Sequence, residues 1–213
     1  MTEIWFIRHG ETAWNFDRRL QGWQDTALND TGRVQAALLA ACVCEAAAAR
    51  PFAALYSSDL QRAHHTAAPI SEQLGLRVRV EPGIRERGFG VLEGLALDRV
   101  DELAPEAAAA WKSRDPLRPI EGGESLGQFQ ARVVATIEDL AERHAGERVL
   151  AVTHGGVLDI IWRHASSVGL EAPRQAALLN ASINRVGVQA RRWQVLEWGN
   201  VAHIAAAVGN DVV

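Results

Sequence analysis

Four short β-prone runs punctuate the chain: IWFI (4–7), FAALYSS (52–58), RVRV (77–80) and RVLAVT (148–153). Long segments with apolar residues at helical spacing separate most of them. No other feature restricts the fold as much. Strands joined by helical crossovers pair in parallel, and a strand that is apolar on both faces must be covered on both. The alternation predicts an α/β protein: a doubly wound, mostly parallel sheet with helices on both faces, one domain spanning 1–213. Asn29 is placed to cap a helix whose apolar stripe is Val34, Ala37, Leu38, Ala41 and Cys42. Residues 59–74 read as a helix with Asp59 at its positive end, kinked or shortened at Pro69. Glu124 or Ser125 opens another, with Leu126, Phe129, Val133, Ile137 and Leu140 as its stripe, and a further helix runs from Gly155 to about 166. INRVGVQA (183–190) and RRWQVLEW (191–198) read as tail strands. Segment 81–119, broken by Gly83, Gly88, Gly90, Gly94, Pro105, Pro116 and Pro119, reads as an insertion with a helical piece at 98–111.

Composition narrows the function classes. A chain of 213 residues with 48% hydrophobic and 23% charged residues can bury a sizeable core. A net charge of −4 disfavours broad binding of nucleic acid or of an anionic membrane surface, so any anion site must be a local arginine cluster. No apolar window is long enough to predict a membrane span. Met1-Thr2-Glu3 carries no leader signature, and the cytoplasm is the expected compartment. Cys42 and Cys44 stand two apart on a helix, point to different sides and predict no disulfide. Neither paired metal-ligand spacing nor a Walker sequence occurs, so no metal is expected.

Charged and catalytic residue types gather where the strands end. Arg8-His9-Gly10 follows the first strand; Ser57 and Ser58 end the second, with Arg62 one turn on; His154-Gly155-Gly156 follows the strand 148–153. Open α/β sheets bind ligands beyond these carboxyl ends. One histidine at a strand end is ordinary. Two strand–His–Gly junctions with two arginines mark an anion site, and a helix starting after Gly155 adds bare N–H groups. A phosphoryl group suits it: guanidinium forks grip the oxygens, and a neutral imidazole, held through its other nitrogen by a backbone carbonyl, can attack phosphorus. The leaving alkoxide then needs a proton donor. In GIRERGFGVLEG (83–94) both Glu86 and Glu93 qualify, and their spacing does not choose between them.

FIRHGETAWN, LQGWQDTALNDTGRVQA, YSSDLQRAHHTA, IRERGFGVLEG, GGESLGQFQARV and AVTHGG occur in this order. With them the chain resembles the histidine phosphatase superfamily, in its phosphoglycerate-mutase-like branch. The resemblance implies a doubly wound α/β fold and catalysis through a phosphohistidine, with no metal or organic cofactor. By motif position it makes His9 the nucleophile, Arg8, Arg62 and His154 the rest of the phosphate pocket, and Glu86 the acid. Asn15, Gln21, Gly22 and the N–H of Gly155 become further substrate contacts. Cofactor-dependent mutases of the branch usually carry Tyr where Phe89 stands, Lys near Leu97 and a downstream arginine pair, for which only Arg114 and Arg118 are available. These departures point to a phosphomonoesterase acting on a small phosphorylated metabolite. Phosphoglycerate mutase is the alternative, and a non-catalytic phospho-ligand-binding module stands behind both. Trp14, Trp23, Phe89 and Trp111 are candidates for the substrate mouth, and an exposed strand edge could pair two copies into a homodimer.

Overall fold

Side chains of the first strand, β1 (Thr2–Arg8), alternate between two apolar layers. Ile4 and Phe6 join one cluster, Trp5 and Ile7 the other, which is why the run is apolar throughout. In this computed structural model, which describes residues 1–208, five more strands complete the sheet: β2 (Ala54–Ser57), β3 (Val78–Val80), β4 (Arg148–Thr153), β5 (Ile183–Gln189) and β6 (Arg192–Asn200). Their order is β3-β2-β4-β1-β5-β6, parallel from β3 to β1 and antiparallel at β1–β5 and β5–β6.

The helices are α1 (Ala13–Phe16), α2 (Asp30–Ala49), α3 (Gln61–Leu74), α4 (Val100–Leu103), α5 (Pro105–Ser113), α6 (Leu126–Arg143), α7 (Gly155–Ala165) and α8 (Ala202–Val208). α2 and α3 cover the Trp5 face, and α6 and α7 the Ile4 face. The α6 stripe is buried as expected, and Ser125 rather than Glu124 starts the helix, in a reciprocal cap with Gln128.

Connections leave β1 and β4 in opposite directions: α2 carries the chain toward β2, and α7 carries it toward β5. Adjacent strands with diverging connections open a crevice at their carboxyl ends. The register pairs Arg8 with Thr153, so His9 and His154 emerge side by side at that crevice.

Several local expectations change. The buried face of α2 is Gly32, Ala36, Leu39, Ala40 and Val43, whereas Val34 is 58% exposed. Alanine on nearly every side gives that helix little hydrophobic contrast, and a backbone contact sets its rotation instead. A Cβ on Gly32 would lie 2.1 Å from the Glu11 carbonyl oxygen, so only glycine lets α2 approach the loop after His9 this closely. By length and composition alone α2 could span a membrane. Here it lies on the sheet, with Asp30, Arg33 and Glu45 along it. α3 begins at Gln61 and runs through Pro69 to Leu74. Asp59 is drawn into a two-pronged pair with Arg85, and Asp25 caps the helix instead, accepting the Gln61 N–H at 2.7 Å. The helical piece at 98–111 splits into α4 and α5 at Ala104-Pro105. With Leu20, Leu92 and Ile120 it forms a small separate core.

Candidate active site

Beyond β1 the chain stays pinned to β4, because the His9 N–H donates to the Thr153 carbonyl at 2.9 Å. The imidazole is buried, 2% exposed. Its Nδ1 lies 2.7 Å from the carbonyl of Gly10. A carbonyl only accepts, so Nδ1 carries the proton and Nε2 keeps its lone pair. Burial, and then the nearby cations of Arg62 and Arg8, hold the His9 pKa well below the usual histidine value. The ring is neutral, with the Nε2 lone pair free.

His154, fully buried, precedes α7, with its ring centroid 5.2 Å from that of His9. Its Nε2 meets the Ser58 hydroxyl at 2.8 Å. Burial first, then Arg62, His9 and Arg8, depress its pKa well below the ordinary value. Its Nδ1 is buried without a protein partner, and in the tautomer in which Ser58 donates to Nε2 it presents an N–H to the site. Arg62 is fully buried and forks onto the carbonyls of Gly22 (2.7 Å) and Gln24 (2.8 Å), which fixes its guanidinium. Arg8 is held by the carbonyl of Leu178. Burial pulls both arginines down to about 10, still fully charged at neutral pH. The Nε atoms of Arg8 and Arg62, like His154 Nδ1, are buried and unpartnered. An unmet buried polar group costs about 1–3 kcal/mol. Three around one imidazole describe a receptor for an oxyanion.

These groups open on a cleft of about 390 Å³. Arg8, His9, Asn15, Gln21, Gly22, Glu86 and Gly155 line it, while Arg62 and His154 are fully buried beside His9. Asn15 Oδ1 accepts from the Thr12 N–H and from Asn180 Nδ2, and Gln21 Oε1 accepts from the hydroxyls of Thr12 and Thr26. With both carbonyl oxygens engaged, the amide NH2 groups are what each residue has left to offer a ligand.

The two candidate acids separate cleanly. Glu86 faces the cleft, accepting the N–H of Arg87 at 2.8 Å and of Gly156 at 3.0 Å. Glu93 lies outside it and brackets the loop, accepting from the N–H groups of Trp23 and Phe89 at 2.9 and 3.0 Å. Trp14, Phe89 and Trp111 stand at the mouth as expected. Trp23 does not: its indole donates to the Glu86 carbonyl at 2.7 Å and lies under Arg85. Of the arginines considered for a phosphoglycerate site, Arg114 is tied to Asp159 and the Leu170 carbonyl, and neither it nor the exposed Arg118 lines the cleft.

Sequence reading missed the contribution of the loop between α7 and β5. Arg174 and Leu178 line the cleft, Leu178 holds Arg8, and Asn180 donates to the His9 carbonyl at 3.0 Å. Nothing periodic marks that loop. Arg18, at φ 54°, also reaches the cleft, where its left-handed backbone left no sequence signal. Among the described residues no His/Cys/Asp/Glu group is arranged to hold a metal.

A switch-point crevice with two imidazoles and two guanidiniums gathered at it defines the phosphoglycerate-mutase-like class of α/β fold with an oxyanion receptor. The model of the histidine phosphatase superfamily (branch 1) matches residues 4–201, and the chain belongs to that superfamily. It is 38% identical over 208 residues to the metal-independent phosphoserine phosphatase of Arabidopsis thaliana, covering 97% of this chain and 84% of that one. Phosphoglycerate mutase-like protein 4 of the same plant is 36% identical, over 95% of this chain and 86% of its own. Among solved structures, a mycobacterial glucosyl-3-phosphoglycerate phosphatase superposes with a TM-score of 0.80 at 30% identity, over 92% of this chain and 98% of that one.

Proposed function

We propose that the protein is a metal-independent phosphomonoesterase that hydrolyses a small phosphorylated metabolite in two steps. His9 Nε2 attacks phosphorus, the bond to the ester oxygen breaks, and Glu86 gives that oxygen a proton. Glu86, now a carboxylate, takes a proton from water as the water attacks phosphorus. The P–N bond then breaks, phosphate leaves and His9 is restored. Arg8, Arg62 and His154 stabilise the equatorial oxygens throughout. One observation carries this reading: the Gly10 carbonyl fixes the His9 tautomer so that Nε2 is the free lone pair, among three unmet buried donors.

Hydrolysis is favoured over mutase chemistry by the cleft itself. A mutase must keep its phosphohistidine from water and grip the intermediate's carboxylate. Phe89 and Leu97 line the wall where a phosphoglycerate-binding tyrosine and lysine would be expected, and Arg114 is already paired. Phosphatase names among the relatives point the same way. They also favour a substrate carrying a carboxylate, which Arg174, at the mouth and paired with Asp159 only through Nε at 3.5 Å, can meet with its terminal nitrogens.

His9→Ala removes turnover of an aryl phosphate while leaving the fold intact, and rapid quench of the wild type traps an acid-labile phosphoprotein absent from the variant. Full activity in folded His9→Ala refutes the mechanism. Interconversion of 3- and 2-phosphoglycerate faster than hydrolysis, dependent on added bisphosphoglycerate, would replace it with the mutase.

A further inference from the structure

The tip of Glu86 is held by two N–H groups, but residues 85–89, which carry it, form neither helix nor strand. Their backbone is gathered from outside by one side chain of α6. Arg132 Nη1 donates to the carbonyls of Gly83 and Arg85, both at 3.0 Å, and Nη2 to that of Glu86 at 3.2 Å. Its Nε and Nη2 also meet both oxygens of Glu124, at 2.9 and 2.8 Å. Glu124 closes the other side: its carboxylate accepts the Gly88 N–H at 2.9 Å, and its own N–H donates to the Gly88 carbonyl at 2.9 Å. Its carbonyl takes Nε and Nη2 of Arg87, at 3.1 and 2.9 Å. The chain around Glu86 is thus stitched at nearly every residue to one ion pair, and neither member of that pair lines the cleft.

We propose that Arg132 and Glu124 form a clasp that sets the position of Glu86: they are positioning residues for proton transfer to the leaving oxygen, with no part in gripping phosphate. The inference rests on the reading of Glu86 as the acid. It requires arginine, because a planar fork can serve three carbonyls and a carboxylate at once, and an ammonium cannot. A merely structural role, such as Arg132 stacking on Phe129 at 5.2 Å, would weaken every substrate alike. Poor placement of an acid shows only where the leaving group needs a proton.

Arg132→Lys and Glu124→Gln in the whole protein separate the two. The lysine keeps the positive charge that reaches His154, so the change tests geometry alone. The measurements are kcat/KM for an alkyl phosphate and for p-nitrophenyl phosphate, inhibition by inorganic phosphate, and the same substitutions in a Glu86→Gln background. Expected is a fall of about tenfold or more on the alkyl ester. The aryl ester and the phosphate inhibition constant should move by less than about threefold. In Glu86→Gln neither substitution should add a further loss. Equal losses on both esters, weakened phosphate inhibition, or full additivity with Glu86→Gln overturn the clasp. If Glu86→Gln itself fails to discriminate between the esters, the acid reading falls and the clasp with it; if it discriminates and the clasp variants do not, the clasp alone falls. Should Arg132→Lys not fold, Glu124→Gln, which leaves every carbonyl contact of Arg132 in place, carries the same test.

Discussion

Gly156→Ala tests the seat of Glu86 from the side opposite to the clasp. An alanine Cβ there would stand 2.0 Å from Glu86 Oε1, 3.0 Å from its Cδ and 3.3 Å from Phe129 Cε1. A comfortable carbon–oxygen contact is about 3.3 Å, so the carboxylate must withdraw by roughly 1 Å or more. The carboxylate ends a flexible side chain, whereas the helix is anchored by a buried strand, so Glu86 gives way. Misplacing a reacting group by about 1 Å can cost around 100-fold in rate, or about 2.7 kcal/mol of barrier. Stability should move little: alanine in a helix gains about 0.5–1 kcal/mol over glycine, which offsets part of the two hydrogen bonds that Glu86 gives up at the cleft wall. The expected variant is as stable as the parent by thermal melting, yet about 100-fold poorer in kcat/KM on an alkyl phosphate, and much less affected on an aryl one. An unchanged rate on the alkyl ester, in a folded variant, refutes the placement of Glu86 over α7. Equal losses on both esters would mean instead that the anion site at the start of the helix had moved.

Both imidazoles are buried neutral, with folded pKa values below the unfolded value of about 6.5. Below that pH the unfolded chain binds more protons, so stability is flat above about 6.5 and falls as pH drops toward the folded values. The carboxylates of Glu3 and Asp59, also lowered, add a loss of the same sign that begins only near pH 4. Chemical denaturation across the range checks the slope, and greater stability in mild acid than at neutral pH would sink it. Arg62→Lys keeps a charge but strips the fork from the carbonyls of Gly22 and Gln24. At about 1–3 kcal/mol for each buried acceptor left unmet, it should lower the urea midpoint, weaken inhibition by inorganic phosphate and cut kcat/KM on both esters. Loss on the alkyl ester alone would remove Arg62 from the phosphate pocket. Inorganic phosphate should also protect the wild type, by about 2.7 kcal/mol at a hundredfold excess over its dissociation constant.

What the sequence discloses follows from how locally each feature is encoded. β1 and β4 are legible because a strand covered on both faces must be apolar at every position, and His9 and His154 are legible because they leave those strands next to glycine. The α6 stripe is legible for the opposite reason, since apolar and charged residues alternate there with high contrast. α2 lacks that contrast, and the close approach of Gly32 to the Glu11 carbonyl, which turns the helix, has no periodicity to read. Asp59 reads from sequence as an acid at the positive end of a helix, but a guanidinium from the distant Arg85 claims it, and Asp25 arrives from another loop to cap α3.

The choice between Glu86 and Glu93 shows where local reading stops. Both are loop carboxylates in one glycine-rich segment, and nothing within that segment separates them. They differ in what comes to meet them from elsewhere. Glu93 is consumed by the N–H groups of the loop at Gly22–Gln24 and of Phe89, so moving it would unfasten the wall that Arg62 grips. Glu86 is met at the cleft by the start of α7, while its backbone is gripped by Arg132, 46 residues away on a helix whose exposed charges look alike in sequence. As the proposed acid, Glu86 needs a fixed backbone and room for its carboxylate at the cleft wall. The clasp supplies the first and the missing side chain at Gly156 the second, so loosening either should be felt in proton transfer before it is felt in phosphate binding.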